Sequence, residues 1–260
     1  MVVHPLYGLA MPELGWVPSP GYVLRRHRVL AWLDRLPAGR RALEIGCGAG
    51  ALLHDLGERG YRCDALESSP RALELLAAAF GDRDDVHAHA TPGDDWAGRF
   101  DLLLAFEVLE HIEDDAGALR AWVDWLAPGG HVLLSVPAHE RRWNPTDEWA
   151  GHFRRYEADG LRARLEEAGL EVVALECYGF PLANLLEAVR ARTYQRGATT
   201  ERAGATAASG VERTVETKLW PAQTSPVGQA AMIALCRAQD AFLDRELGNG
   251  FFAVARRRQA

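Results

Sequence analysis

Three groups of residues have the types and spacing that chemistry needs. Glu107, Glu110 and His111, in the string EVLEH, stand at i, i+3 and i+4, so one turn of helix brings two carboxylates and an imidazole to one face. His152, in GHFRRY, offers a second imidazole further along. Such groups can take a proton from a reacting hydroxyl, or their oxygen and nitrogen lone pairs can hold a hard divalent cation. The second group is the turn in RALEIGCGAGA, residues 41–51, where an apolar run meets Gly46, Gly48 and Gly50. Glycine there permits the positive φ of a sharp strand-to-helix turn and lets backbone lie against a ligand, with the free N–H groups of the next helix behind it. The third is basic: Arg141, Arg142, Arg154 and Arg155 read either as a solvated charge run or as a site for a carboxylate or phosphate.

The elements that must position these groups alternate between strand and helix. Strands are predicted over 41–45, 62–66, 86–90, 102–106 and 131–136, with helices over 51–59, 71–80 and 115–127. Leu119, Trp122, Val123 and Leu126 form the buried stripe of the last of these helices. A further helix carries Leu161, Leu165 and Ala168, stops at Gly169 and leads into a sixth strand. This alternation predicts an α/β fold, a doubly wound and mostly parallel sheet. Ligands of such sheets bind beyond the carboxyl ends of the strands, where the glycine turn, residues 107–111 and the loop holding His152 all fall. Glu67 ends the second strand, about twenty residues after the turn, where a carboxylate can accept hydrogen bonds from ribose hydroxyls.

The set Glu44, Gly46, Gly48 and Gly50 resembles the first motif, E/D-x-G-x-G-x-G, of the class I S-adenosylmethionine-dependent methyltransferases. The strings FDLLLAFEVLEHIEDD and LAPGGHVLLSVP are similar to the fourth and fifth strands of that family, and the resemblance runs through residues 40–179. It implies a Rossmann-like seven-stranded sheet and S-adenosylmethionine as cofactor, bound by Glu44, Gly46, Cys47, Gly48, Gly50, Glu67, Ser68, Phe106 and Glu107. Ala90 and Thr91 stand where the family often places an aspartate on the adenine. Gly46, Gly48 and Ala51 also fit the G-x-G-x-x-A dinucleotide fingerprint, but Glu44 would repel a pyrophosphate and attract a cationic ligand.

The activity implied is methyl transfer to a small-molecule acceptor, at a hydroxyl or carboxyl oxygen, with His111 and His152 as base or substrate contact. Glu107, Glu110, His111 and His152 are similar to the E-x-x-E-H plus later His pattern of metal-dependent 2′-O-methyltransferases of small-RNA ends. The E-x-x-E-H part is also similar to that of ubiquinone-pathway O-methyltransferases. That resemblance implies magnesium or manganese held by these four residues. The alternatives are an N- or C-methyltransferase, a nicotinamide-dependent oxidoreductase, and a non-catalytic cofactor-binding subunit.

Bulk properties narrow the field. The 260 residues, 48% hydrophobic and 25% charged, suit one globular catalytic domain. A net charge of −7 argues against nucleic acid as the partner, since that binding draws on clustered Lys and Arg. No basic start with a secretory apolar run and no stretch of eighteen apolar residues occurs, so a cytoplasmic protein without a membrane span is expected. Cys47, Cys63, Cys177 and Cys236 form no C-x-x-C pair and read as reduced, buried thiols.

Additions flank the core, taken as residues 39–180. Residues 1–38 read as an irregular, proline-rich arm followed by a helix over 21–36 with Val29, Leu33 and Leu36 on one face. The last strand is expected only at 250–260, after a helical insertion over 181–249. The insertion carries one stripe of Leu182, Leu185, Leu186 and Val189, a small-residue stretch over 197–210, and a second stripe of Met232, Leu235, Cys236 and Leu243. It reads either as extra core or as a lid or homodimer contact, with 197–210 its most mobile part. Tyr178, Phe180 and Trp220, beside it, are expected to line the acceptor site together with Arg141, Arg154 and Arg155.

Overall fold

The computed structural model describes residues 1–37, 39–196 and 213–258. In chain order the strands are β1 Val2–His4, β2 Gly8–Ala10, β3 Arg41–Ile45, β4 Arg62–Leu66, β5 Val86–His89, β6 Phe100–Phe106, β7 Leu126–Pro137, β8 Leu170–Tyr178 and β9 Gly250–Arg257. The helices are α1 Pro20–Leu33, α2 Ala51–Gly57, α3 Pro70–Phe80, α4 Asp115–Trp125, α5 Pro145–Ala150, α6 Ala158–Glu167, α7 Leu182–Arg196, α8 Thr214–Gln223 and α9 Pro226–Asp240.

Seven strands make one sheet in the order β5-β4-β3-β6-β7-β9-β8, parallel except at β9, which runs antiparallel to both β7 and β8. The chain winds outward from β3 in one direction and from β6 in the other. A crevice therefore opens at the carboxyl ends of these two neighbours, with the glycine turn on one side and Glu107 on the other. Period-2 alternation splits the core into two layers. Ala42, Leu102, Leu104, Phe252 and Val254 face α1, α2 and α3, while Leu43, Leu103, Ala105, Phe251 and Ala253 face α4 and α6. Both faces are covered, which is why β6 reads as a continuous apolar run.

The arm is more regular than its prolines predict. β1 and β2 pair antiparallel, Met11 bridges Trp16, and Tyr7, Leu9, Met11, Trp16 and Val17 are buried. Burial of these large side chains outweighs the missing proline donors. Tyr7, Val23, Leu24, Ala183, Met232 and Cys236 form a third cluster that ties the arm and α1 to α7 and α9.

The two stripes of the insertion behave differently. Met232 and Cys236 of the second are buried. In the first, Leu182 packs against the third cluster, but Leu185, Leu186 and Val189 are exposed at 61%, 38% and 51%. That stripe thus enters the core only at Leu182, while Leu185, Leu186 and Val189 keep much of their surface exposed. The stretch 197–210 falls outside the described residues. All four cysteines are buried free thiols, and among the described residues no helix is long and apolar enough to cross a membrane.

Candidate functional site

A cavity of about 660 Å³ opens at the crevice. Its cofactor-loop side is built largely from backbone. Gly46 and Gly48 have φ of +64° and +55°, and a Cβ on Gly46 would sit 2.5 Å from the Val108 side chain. Gly50, at φ +71°, starts α2 and packs against Leu76 and Phe80, so it shapes the turn without lining the cavity. Glu67 is fixed by three backbone donors: Gly48 N–H at 2.9 Å to one oxygen, Ser68 and Ser69 N–H at 2.8 Å each to the other. Cys47, Ser68 and Phe106 line the same side.

Glu44 shares the face of β3 that turns toward α1, where Arg25 also lines the cavity. Burial pushes the Glu44 carboxyl up to about 8, against the pull of the Arg25 charge. Its Oε2 is buried and has no hydrogen-bond partner. A carboxylate oxygen left in that state fits a cationic group arriving from the cavity.

Across the cavity the groups are side chains. Glu107 sits at φ +56° just past β6, and its Oε1 accepts hydrogen bonds from Ser135 Oγ (2.7 Å) and Tyr178 Oη (3.1 Å), with Arg25 at 3.7 Å. Three residues on, in a 3-10 turn over Leu109–His111, Glu110 is 0% exposed and neither carboxyl oxygen has a partner. Its Oε1 lies 4.0 Å from His111 Nε2 and 3.9 Å from His152 Nε2, and the two imidazoles meet edge to face at 4.6 Å. Burial and the negative charge of Glu107 hold the Glu110 carboxyl well above the usual range. Burial and the neighbouring His152 lower His111 to about 4, so His111 is neutral at pH 7.

The loop after β7 delivers His152 through a capping box. Asn144 caps α5, Pro145 takes the first helical position, Asp147 closes the box, and Gly151 ends the helix at φ +76°. The buried Asp147 then binds His152 Nδ1 at 2.9 Å and receives both nitrogens of the Arg155 fork at 2.9 and 2.7 Å. Burial opposes ionisation of Asp147, but these hydrogen bonds and the Arg155 charge outweigh it and keep the carboxyl below its ordinary value. Asp147 is therefore an acceptor, so His152 donates to it through Nδ1 and Nε2 is left on the side of Glu110, 3.9 Å from its Oε1. Phe153 N–H donates to the Glu110 carbonyl at 2.8 Å, and Arg154 to those of Ile112 and Glu113, so the loop is pinned to the 109–111 turn.

Of the residues predicted from sequence, Glu44, Gly46, Cys47, Gly48, Glu67, Ser68, Phe106, Glu107, His111, His152 and Tyr178 line this one cavity. Ala90 and Thr91 do not: they follow β5 at the exposed edge of the sheet. The arginines predicted for the acceptor are used elsewhere. Arg155 pairs with Asp147 and Glu187, Arg154 with Asp115, and Arg141 is exposed outside the lining. Phe180 stacks edge-on with Phe242, and Trp220 with Tyr7. Glu110, His111 and His152 come together with one ligand atom each within 4.8 Å of the others, whereas Glu107 is turned to Ser135 and Tyr178. Sequence reasoning missed Arg25, Asp147, Arg190 and Arg213. Asp147 had a signal in N-P-x-D followed by glycine; the arginines had none.

Residues 22–175 match the family model for a methyltransferase domain. A ubiquinone biosynthesis O-methyltransferase of Aromatoleum aromaticum is 35% identical over 115 residues, covering 41% of this chain and 49% of that protein. The chain thus spans about half the length of the curated relatives it matches. The N-methyltransferase NodS of Bradyrhizobium japonicum WM9, solved with S-adenosyl-L-homocysteine, is 28% identical with a TM-score of 0.50, over 61% of this chain and 81% of that one. The cyclase SpnF has the same fold at 17% identity and a TM-score of 0.56, over 100% of this chain and 88% of its own. With the glycine turn, Glu67 and the sheet order in agreement, the chain belongs to the class I S-adenosylmethionine-dependent methyltransferase family.

Proposed function

We propose that the chain transfers a methyl group from S-adenosylmethionine to an oxygen of a small-molecule acceptor, with His152 as general base. The observation that carries this reading is the Asp147–His152 pair, whose imidazole lines the same cavity as the glycine turn and Glu44. The cofactor fits the residues present. Glu67, immobilised by three N–H groups, suits the ribose hydroxyls, and the opposite charges of Glu44 and Arg25 suit the ammonium and carboxylate of its amino-acid end. Bound, it supplies a methyl on a sulfonium, already activated for transfer. The protein must then align the acceptor oxygen and remove its proton, which His152 Nε2 accepts while Asp147 stabilises the resulting imidazolium. A shared relative that methylates oxygen favours an O-acceptor over nitrogen or carbon.

The unpartnered Glu110 supports a second feature, a divalent ion held by Glu110, His111 and His152. Its ligand atoms lie within 4.8 Å of one another, and such an ion would polarise an acceptor oxygen. The exposed stripe of Leu185, Leu186 and Val189 is the face through which the insertion would join two copies of the chain.

The test is release of S-adenosylhomocysteine from S-adenosylmethionine with hydroxyl, carboxyl and amine acceptors, before and after chelation. Turnover restored by magnesium or manganese to a chelated enzyme identifies the ion, and turnover indifferent to chelation identifies His152 alone. Absence of S-adenosylhomocysteine binding in a calorimeter rejects the whole reading.

A further inference from the structure

His152 stands at the end of a row of charges that joins two distant parts of the chain. Asp147 Oδ1 accepts from His152 Nδ1 and from Arg155 Nε, at 2.9 Å each, so imidazole and guanidinium share one carboxylate oxygen. Arg155 Nη2 lies between two carboxylates, 2.7 Å from Asp147 Oδ2 and 2.6 Å from Glu187 Oε1. Glu187 in turn accepts from Arg142 Nη2 and from Asn144 Nδ2, at 3.1 Å each. The side chains of Asp147, Arg155 and Glu187 are 1%, 5% and 14% exposed, so their charges act on one another with little screening. Every member of the row except Glu187 comes from residues 142–155, between β7 and α6; Glu187 comes from α7, in the insertion.

We infer that Glu187 is a positioning residue for His152: it holds the far side of Arg155, leaves Asp147 Oδ1 to serve the imidazole, and makes the base depend on α7 being seated against the loop. Without Glu187 the guanidinium would keep one carboxylate, Asp147, and draw on it more strongly. What Asp147 Oδ1 yields to Arg155 is lost to His152, because that oxygen accepts from both. A weaker bond to Nδ1 gives less support to an imidazolium when the ring takes up a proton. The same face of α7 also reaches the cavity, since Ala183 and Arg190, four residues before and three after Glu187, line it. The insertion thus meets the chemistry twice, at the cavity wall and through His152. The inference rests on the proposed role of His152 and names a residue that supports it.

The test compares Glu187→Gln with wild type in the full chain saturated with S-adenosylhomocysteine, by proton NMR at the low field where hydrogen-bonded imidazole N–H groups resonate. The His152 Nδ1–H signal is assigned by its loss in His152→Ala. In Glu187→Gln it should move upfield, in a chain that stays folded and binds S-adenosylhomocysteine as wild type does. Turnover of the acceptor used best by wild type should fall at least about threefold in kcat, with KM little changed. In an Asp147→Asn background the same substitution should cost much less, because the bond it acts through is already impaired. A signal that stays in place, a wild-type spectrum without the signal, or an equal loss of kcat in both backgrounds overturns the inference. Should Glu187→Gln not fold, Arg142→Gln tests the row from its outer end: it leaves Glu187 more fully to Arg155, so the signal should move downfield, and no movement overturns the inference. Wild-type kcat in His152→Ala rejects His152 as the base itself, a failure read separately from the position of the Nδ1–H signal.

Discussion

The two sides of the cavity are built by different means. On the cofactor side the contacts are backbone: a turn that only glycine accepts, and a carboxylate, Glu67, held by three N–H groups within twenty-two residues of sequence. On the opposite side they are side chains drawn from far apart, with His152, Asp147 and Arg155 from one loop, Glu110 from another and Glu187 from the insertion. A backbone cradle binds whatever shares the cofactor's shape, whereas a side-chain wall can be changed one residue at a time without disturbing the sheet. The two sides should therefore fail separately when mutated.

The largest effect is expected at His152. His152→Ala should lower kcat by about 10²–10⁴-fold, the usual worth of a positioned base, with the dissociation constant for S-adenosylhomocysteine within about twofold of wild type. Asp147→Asn should act in the same direction and less strongly, because an amide can no longer stabilise the imidazolium. Steady-state kinetics beside calorimetry checks both, and a loss of cofactor affinity in either would erase the distinction between the sides.

Gly48→Val is the converse. A β-branched residue at φ +55° strains the turn and fills the space the ligand needs, so S-adenosylhomocysteine should bind at least tenfold more weakly, about 1.4 kcal/mol, in a chain that still folds. Glu67→Ala should weaken binding less, since water can replace part of what the ribose loses. Unchanged affinity in Gly48→Val would remove the cofactor from this turn.

Glu44 gives a sharper reading through protons. Its carboxyl is raised from 4.5 to about 8 in the folded chain, so between those values the folded state holds a proton that the unfolded state releases. Stability contributed at this position is accordingly lost as pH rises through that window. A cationic ligand group beside Glu44 expels the proton. Binding of S-adenosylhomocysteine at pH 6.5 should thus release up to about one proton, seen as a dependence of the calorimetric enthalpy on buffer ionisation heat. Glu44→Gln should abolish that dependence and weaken binding; its persistence in the variant would show that another group supplies the proton.

The smallest expected effect is on stability. Glu110 is buried with no partner and its carboxyl is raised, so Glu110→Gln should leave the melting midpoint equal or higher by a few degrees at pH 8 while lowering turnover. The gain should shrink toward pH 4, where the wild-type carboxyl is protonated in both states. A midpoint that falls at every pH would make Glu110 a structural residue.

Most of the core was legible because its signals are local. β3 and β4 begin and end at their predicted residues, α3 and α4 come within two residues, and GFFAVAR identified β9 across a long insertion because it is a continuous apolar run, whose successive residues enter the two buried layers in turn. The hairpin of the arm was not legible: two three-residue strands carry too few residues for a period to register, and they exist because Tyr7 and Leu9 find a core to enter. The stripe of α7 left two readings open for a different reason. Leu182, Leu185, Leu186 and Val189 have helical spacing, but only packing decides whether such a face has a neighbour.

Residue type and spacing alone determined the alternation of strands and helices within the sheet, the glycine turn with Glu44 and Glu67, and the presence of two imidazoles and two carboxylates at the carboxyl edge of the sheet. Tertiary structure decided what each of these groups faces. Arg25, Arg26 and Arg28 lie within four positions of one helix, yet Arg26 clamps Asp55, Arg28 clamps Glu176, and Arg25 faces the cavity. Each step along a helix turns the side chain by about 100°, and the neighbour it then meets comes from elements up to 212 residues away. The separation of Glu107, satisfied by Ser135 and Tyr178, from Glu110, satisfied by nothing, has the same origin. Hydrogen-bond partners are assigned by three-dimensional proximity, and no pattern along the chain encodes it.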